Sequence, residues 1–282
     1  MKEVTFGGTT VPAIGIGTWH MGDQPDHRDT EIAAIQAGIQ AGARVVDTAE
    51  MYGSGRSEDL VGEALMPFKR ENLFLISKVL PENASHDRMQ ASLKASLKRL
   101  RTDYLDLYLY HWRGHVPLAE TITELQRLQE TGLIRRWGVS NFDSADLQEL
   151  WALPEGSKVA ANEDLYHLGS RGVEYAVLPW QQVHDVPFIA YSPIAQGDTH
   201  GHQLASNPVV KKIAAAHQVG IYEILLAWVI SHDQVLAIPQ TSSVDHMRAN
   251  IASTQLTLRA DELTALDHQF PKPTTATPLD IL

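Results

Sequence analysis

Three apolar runs end in ionisable side chains. Arg44-Val45-Val46 leads into Asp47, Leu73 to Ser77 leads into Lys78, and Tyr104 to Tyr110 leads into His111. Tyr52 follows Asp47 on the segment that leaves the first of these runs. An unperturbed tyrosine titrates near about 10, too high for easy proton donation at neutral pH, and a neighbouring ammonium lowers that value by favouring the phenolate. Asp47 can pair with Lys78 and hold it in place. His111 can bind a carbonyl oxygen and orient what carries it. Such a set is a general acid beside an oxygen-binding pocket. It has no nucleophile, and a hydride from a bound cofactor would supply one. Each residue also has an ordinary role. A strand-end Asp caps the next helix, a lone Lys is solvated, a Tyr packs by its ring, and a His after an apolar strand sits in the core. A Schiff-base aldolase with Lys78 as nucleophile is a competing chemistry. Asp47 beside it predicts a charged lysine, which is a poor nucleophile.

These residues need elements to position them. Arg44 to Asp47, Leu73 to Lys78, Tyr104 to His111, Ile134 to Ser140, Val159 to Leu165, Phe188 to Tyr191 and Val235 to Ile238 read as buried strands, and Ala13 to Gly17 as a first one. Continuous apolar strands suit a parallel sheet covered on both faces. Between them apolar residues recur at helical spacing: Ile32, Ile35 and Ile39, closed by Gly42; Met89, Leu93, Leu97 and Leu100; Leu118, Ile122, Leu125 and Leu128, followed by Gly132. Ser144 reads as the cap of a helix carrying Leu147, Leu150 and Trp151. Eight strands, most followed by a helix, predict an α/β fold, a closed (β/α)8 TIM barrel forming a single domain over residues 1–282. An open doubly wound sheet is the alternative, but Gly15-Ile16-Gly17-Thr18-Trp19-His20 lacks the third glycine of a dinucleotide fingerprint. Thr5 to Val11, with Gly7-Gly8 at its centre, reads as a hairpin plugging the barrel bottom. Gly197 to His202 reads as a polar loop, and Lys272 to Pro278 as a tail extended over the surface.

Composition narrows the function classes. With 23 basic and 34 acidic residues the formal net charge is −11, which disfavours nucleic acid and anionic membrane as partners. There is no cysteine, so thiolate catalysis, disulfides and Cys-ligated zinc are excluded. No run approaches the roughly 18 apolar residues of a membrane span, and the N-terminus has no secretory apolar stretch. A cytoplasmic protein is expected. His200-Gly201-His202 has ligand-like spacing, but a metal-dependent barrel hydrolase needs its histidines at strand ends, so no metal is expected.

The motifs resemble those of the aldo-keto reductases. Val46-Asp47-Thr48-Ala49-Glu50-Met51-Tyr52-Gly53 is similar to that family's D-T-A-x-x-Y-G, and Gly138-Val139-Ser140-Asn141-Phe142 to its G-V-S-N-F. Ile76-Ser77-Lys78, Asp103 to Trp112 and Gly15 to Trp19 match further motifs in the same order. The resemblance implies a barrel that binds NADPH, or alternatively NADH, in extended form, and a small-molecule carbonyl substrate. It implies Tyr52 as proton donor, Asp47 and Lys78 as its tuning pair, and His111 as the residue that orients the carbonyl. Ser140, Asn141 and Glu163 would hold the nicotinamide carboxamide, and Tyr191 would stack on the ring. Thr18, Ser192 and Ile194 would touch the cofactor, with the latter two at the pyrophosphate. Gln240, Thr241, Ser242, Ser243, His246 and Asn250 would meet the adenosine end, and Trp19 and Trp112 would line the substrate pocket. Two departures stand out. Glu163 replaces the usual glutamine, and a carboxylate accepts hydrogen bonds but cannot donate one. Gln240 and His246 stand where many members place a lysine and an arginine, with Arg248 two residues on. Thr48 to Tyr52, Leu165 to Gly172 and Leu226 to His232 most resemble bacterial members associated with reducing methylglyoxal and other small aldehydes. The resemblance implies a monomer, relatives of this kind being monomers or weak oligomers. A cofactor-binding sensor on the same fold is the non-catalytic alternative.

Overall fold

The computed structural model describes residues 1–195 and 199–282, the side chains of residues 199–202 excepted. The chain opens with an antiparallel hairpin, β1 (Glu3–Phe6) and β2 (Thr9–Pro12), turned by Gly7 and Gly8 at φ +47° and +84°. Eight parallel strands follow: β3 (Ile16–Gly17), β4 (Val45–Asp47), β5 (Phe74–Val79), β6 (Leu107–Tyr110), β7 (Trp137–Ser140), β8 (Asn162–Leu165), β9 (Phe188–Tyr191) and β10 (Val235–Ala237). They are ordered by sequence around the sheet, each hydrogen-bonded to the next. The seam closes where Ile14 bridges Ala237 in parallel and Gly17 N donates to Pro239 O at 3.0 Å. The result is the (β/α)8 barrel that the alternation of apolar runs predicts.

The covering helices are α1 (Arg28–Gln40), α2 (Arg56–Ala64), α3 (Met89–Leu100), α4 (Leu118–Glu130), α5 (Ser144–Ala152) and α6 (Val177–Val183). Beyond β9 come α7 (Thr199–Ser206), α8 (Pro208–His217) and α9 (Ile221–Val229), and beyond β10 come α10 (Val244–Ala252) and α11 (Ala260–Gln269). The stripes work as their spacing requires. Met89, Leu93, Leu97 and Leu100 of α3 and Leu118, Ile122, Leu125 and Leu128 of α4 are all buried against the barrel. Gly42 and Gly132 take positive φ just past α1 and α4, as helix-terminating glycines do.

The structure amends several local readings. Most strands are shorter than their apolar runs. Before β6, the guanidiniums of Arg70 and Arg135 lie over the Tyr104 ring, Asp106 accepts from Arg70 and Leu75 N, and Leu105 makes only an isolated parallel bridge to Ile134. Helix α5 is capped by Asp143, whose Oδ1 accepts from Ala145 N and Asp146 N at 2.8 and 2.9 Å, and Ser144 is its first residue. In the Gly197 to His202 segment, α7 begins at Thr199. Gly197 and Asp198 lie outside the described residues, as do the side chains of His200 and His202.

The hairpin lies at the N-terminal ends of the strands. Phe6 packs its ring 5.2 Å from that of Phe74 at the start of β5, and Arg136, just before β7, donates to Gly7 O at 3.1 Å. Thr5 N donates to Gln234, just before β10. That end is plugged, and the strands' C-terminal ends are left as the open mouth. No described helix is long and apolar enough to cross a membrane. The seam tolerates no side chain at Gly17, where a Cβ would stand 2.4 Å from the carbonyl oxygen of Ile238. Gly17→Ala should lower stability by about 1–3 kcal/mol through overpacking, read as a lower midpoint in urea unfolding.

Candidate active site

The open mouth collects the charged strand ends. Asp47 closes β4, Lys78 is the penultimate residue of β5, and His111 follows β6 directly. Tyr52 is brought over them by a tight turn in which Gly53 and Gly55 adopt φ of +57° and +92°. A Cβ on Gly53 would also lie 2.8 Å from Asp23 Oδ1. Beneath this turn Thr18 Oγ1 donates to Asp47 O at 2.9 Å, and Ser57 Oγ donates to Thr18 at 2.8 Å. The loop carrying Tyr52 is therefore tied to the first strand as well as to its own.

Lys78 Nζ is the hub. It donates to Asp47 Oδ1 at 2.6 Å, to Thr48 O at 3.2 Å and to Tyr52 Oη at 3.2 Å, and lies 3.3 Å from Glu163 Oε1. Burial works against its charge, but Asp47, Glu163 and Tyr52 outweigh burial and hold it firmly protonated. An ammonium held in this way is a poor Schiff-base nucleophile. Asp47 spends its side chain on Lys78, so it is not a helix cap. Burial pushes the Tyr52 phenol well up, and Lys78 only partly offsets this. The expected lowering by the lysine is present, but it is the smaller effect. His111 packs edge-on to Tyr52, with ring centroids 5.9 Å apart. Burial, helped by the charge on Lys78, pushes its imidazole down to about 2. It is a neutral imidazole at any ordinary pH.

The next strands build the floor. Along β8 the side chains alternate. Glu163 faces the cavity, while Asn162 turns outward to Phe142 O, Asp164 and Gln181. Ser140 Oγ donates to Glu163 O at 2.8 Å. Asn141, at φ +59°, donates to His111 O and accepts from Tyr191 Oη at 2.9 Å. Above lies a cavity of about 1110 Å³, beyond the roughly 300–1,000 Å³ of common ligand pockets. It runs from Trp19, Tyr52, His111 and Trp112, over Ser140, Asn141, Glu163 and Tyr191, past Ser192 and Ile194, to Gln240, Thr241, His246 and Asn250. Thr18 also lines it, and Asp47 reaches it from below.

Two expected contacts are absent from the lining. Ser243 caps α10, its Oγ accepting from His246 N at 3.3 Å, and Ser242 does not reach the cavity wall. Arg248 is 58% exposed, 3.8 Å from Asp245, and is also off the wall. Other residues escaped the sequence reading. Met51 lines the cavity, and its position beside Tyr52 was the available signal. His20, Arg113 and Tyr222 line it too. Lys272 to Pro278 runs mostly exposed, as expected, and beyond it Ile281 and Leu282 reach the cavity wall. No local pattern marks those two. The neutral state of His111 has a direct check. Its ring signals in NMR should not titrate between about pH 5 and 8, the window in which unperturbed histidines change charge. A midpoint inside that window would contradict the burial described here.

Comparison with known proteins agrees with this geometry. The Aldo/keto reductase family matches residues 13–269. The methylglyoxal reductase YeaE of Escherichia coli K12 is 49% identical over 282 residues, covering 100% of this chain and 99% of that one. Crystal structures of an aldo/keto reductase from Klebsiella pneumoniae, one in complex with NADP and acetate and one with NADPH, superpose with a TM-score of 0.97 at 45% identity, covering 100% of this chain and 99% of theirs. The chain belongs to the aldo/keto reductase family.

Proposed function

We propose that this protein reduces aldehydes and ketones to alcohols with NADPH, and that small aldehydes such as methylglyoxal are among its substrates. The observation that carries the chemistry is the chain Asp47–Lys78–Tyr52, at 2.6 and 3.2 Å, on the floor of a long cavity. NADPH is supported by the complexes of the similar Klebsiella pneumoniae proteins, and the substrate class by the name of the Escherichia coli relative. The cavity suits an extended dinucleotide. The ring of Tyr191 offers a stacking face beside Asn141 and Glu163, and Gln240, Thr241, His246 and Asn250 form the far end.

The bound cofactor supplies the hydride. The residues do the rest. His111, a neutral imidazole, donates a hydrogen bond to the carbonyl oxygen and sets its place. Tyr52 Oη delivers the proton to that oxygen as negative charge develops on it. The same burial that keeps Tyr52 protonated in the resting site leaves Lys78 to stabilise the phenolate when the proton departs. Trp19 and Trp112 wall the space above Tyr52 and His111 and exclude water. Asp47 keeps Lys78 charged and fixed. One barrel supplies every residue this chemistry uses, so the proposed chemistry needs no second domain or subunit. A sensor without turnover would have no use for a proton donor seated on a buried cation.

Loss of NADPH absorbance with a panel of aldehydes tests the activity, and NADH in parallel tests the cofactor. Tyr52→Phe should lower turnover by about 10²–10⁴-fold, the usual worth of a general acid, with NADPH affinity by fluorescence nearly unchanged. Wild-type turnover in that variant would refute the assignment. At the adenosine end Gln240→Lys should raise the preference for NADPH over NADH by placing a cation near the 2′-phosphate. An unchanged ratio of the two kcat/KM values would put the 2′-phosphate elsewhere.

A further inference from the structure

Two carboxyl groups and one ammonium meet beneath Tyr52. Lys78 Nζ touches Asp47 Oδ1 and Glu163 Oε1, and the three side chains are no more than 2% exposed. The remaining oxygens, Asp47 Oδ2 and Glu163 Oε2, are buried without a hydrogen-bond partner. Two carboxylate oxygens in that state would each forgo hydration at a cost of several kcal/mol. The two side chains interact directly as well, so one proton held between them gives each carboxyl group a partner.

Charge balance leads to the same place. The groups facing Glu163 are Asp47 from β4, Lys78 from β5, Tyr52 from the turn after β4, His111 after β6, Ser140 and Asn141 at the end of β7, and Tyr191 from β9. Tyr52 and Tyr191 are un-ionised and His111 is neutral, so Lys78 is the one positive charge among these groups. Two ionised carboxylates would leave a net negative charge in a dry site.

We propose that Glu163 and Asp47 hold one proton between them, resident on Glu163 at neutral pH, so that Glu163 is an un-ionised acid. Burial and the charge on Asp47 push Glu163 well above the usual carboxylate range. Burial raises Asp47 too, but Lys78 counters it more closely there. An environment that keeps a carboxylic acid neutral at pH 7 has precedent in enzymes that use one as a hydrogen-bond donor. The proton leaves the charge of Lys78 available to Tyr52, because an ionised Glu163 would raise the phenol further. Glu163 acts here as a positioning residue for Tyr52.

The pair also couples to the redox state of the cofactor, a step that rests on the function proposed above. As pH rises and the shared proton leaves, the cavity floor gains a negative charge. The oxidised nicotinamide ring is cationic and the reduced ring is neutral, so NADP⁺ gains affinity and NADPH does not. The gain is limited to about tenfold per pH unit for one linked proton.

Infrared difference spectroscopy of the cofactor-free protein tests the proton itself. Wild type minus Glu163→Gln at neutral pH should show the C=O stretch of an un-ionised carboxylic acid. Wild type minus Asp47→Asn should show it as well, because Glu163 then becomes the sole counter-ion of Lys78 and ionises. No such band in the first difference overturns the proposal, and a band retained in Asp47→Asn overturns the sharing. Fluorescence titration tests the coupling. The Kd of NADP⁺ should tighten with rising pH in wild type and stay flat in Glu163→Gln. If the band is present but the wild-type curve is flat, the shared proton stands and the placement of the nicotinamide over Glu163 is what fails.

Discussion

A lysine ammonium with no contact to water governs the architecture of this barrel's mouth. Taking such a cation from water carries an effective penalty of several kcal/mol. Lys78 meets it with four oxygens supplied by two separate stretches of chain: Asp47 at the end of β4 with Thr48 and Tyr52 just beyond it, and Glu163 on β8. The strands that carry Asp47 and Lys78 are adjacent and parallel, so register alone brings their C-terminal ends together. Glu163 comes from the opposite arc of the sheet, and only closure of the barrel brings it within reach.

The dryness that makes the lysine costly also sets the state of its neighbours. Tyr52 and His111 are both driven to their neutral forms by burial, the first upward and the second downward. These are the forms in which a phenol can give a proton and an imidazole can bind an oxygen without competing for it. A solvated site would weaken the field of Lys78 at Tyr52 several-fold. The plugged end contributes here. The hairpin packs Phe6 on Phe74 at the base of β5 and denies water a route through the barrel axis.

What could be read from the sequence follows from how local each feature is. Asp47, Lys78 and His111 were visible because each ends an apolar run, and barrel sites gather at strand ends. Tyr52 was visible through its motif. The pairing of Glu163 with Lys78 was not, because period-two alternation shows that either Asn162 or Glu163 faces inward but does not show what lies across the barrel. Capping was misread by one position at α5, where Asp143 and Ser144 are both competent and backbone geometry chose the first. Ser243 suffers the same ambiguity, since a hydroxyl that caps a helix and one that meets a phosphate look alike in sequence. Ile281 and Leu282 reach the mouth by tertiary placement alone.

The adenosine end raises a question of charge. A chain with formal net charge −11 repels an anionic dinucleotide at long range, and the cavity does little to reverse this. Arg113 lines it, but its guanidinium is taken up by Asp146 and Glu149 at 2.8 and 2.7 Å. Gln240 and His246 occupy positions where cations would be the simpler solution, and Arg248 points away. In the function proposed above, the grip would come from neutral donors held at fixed positions, among them the amide of Gln240, the hydroxyl of Thr241 and the amide of Asn250. Such donors act at contact range and fall off steeply beyond it. Affinity would then be set by fit after encounter and owe little to electrostatic steering. The charge nearest Tyr52 lies on the floor beneath it, where the proposed reaction uses it.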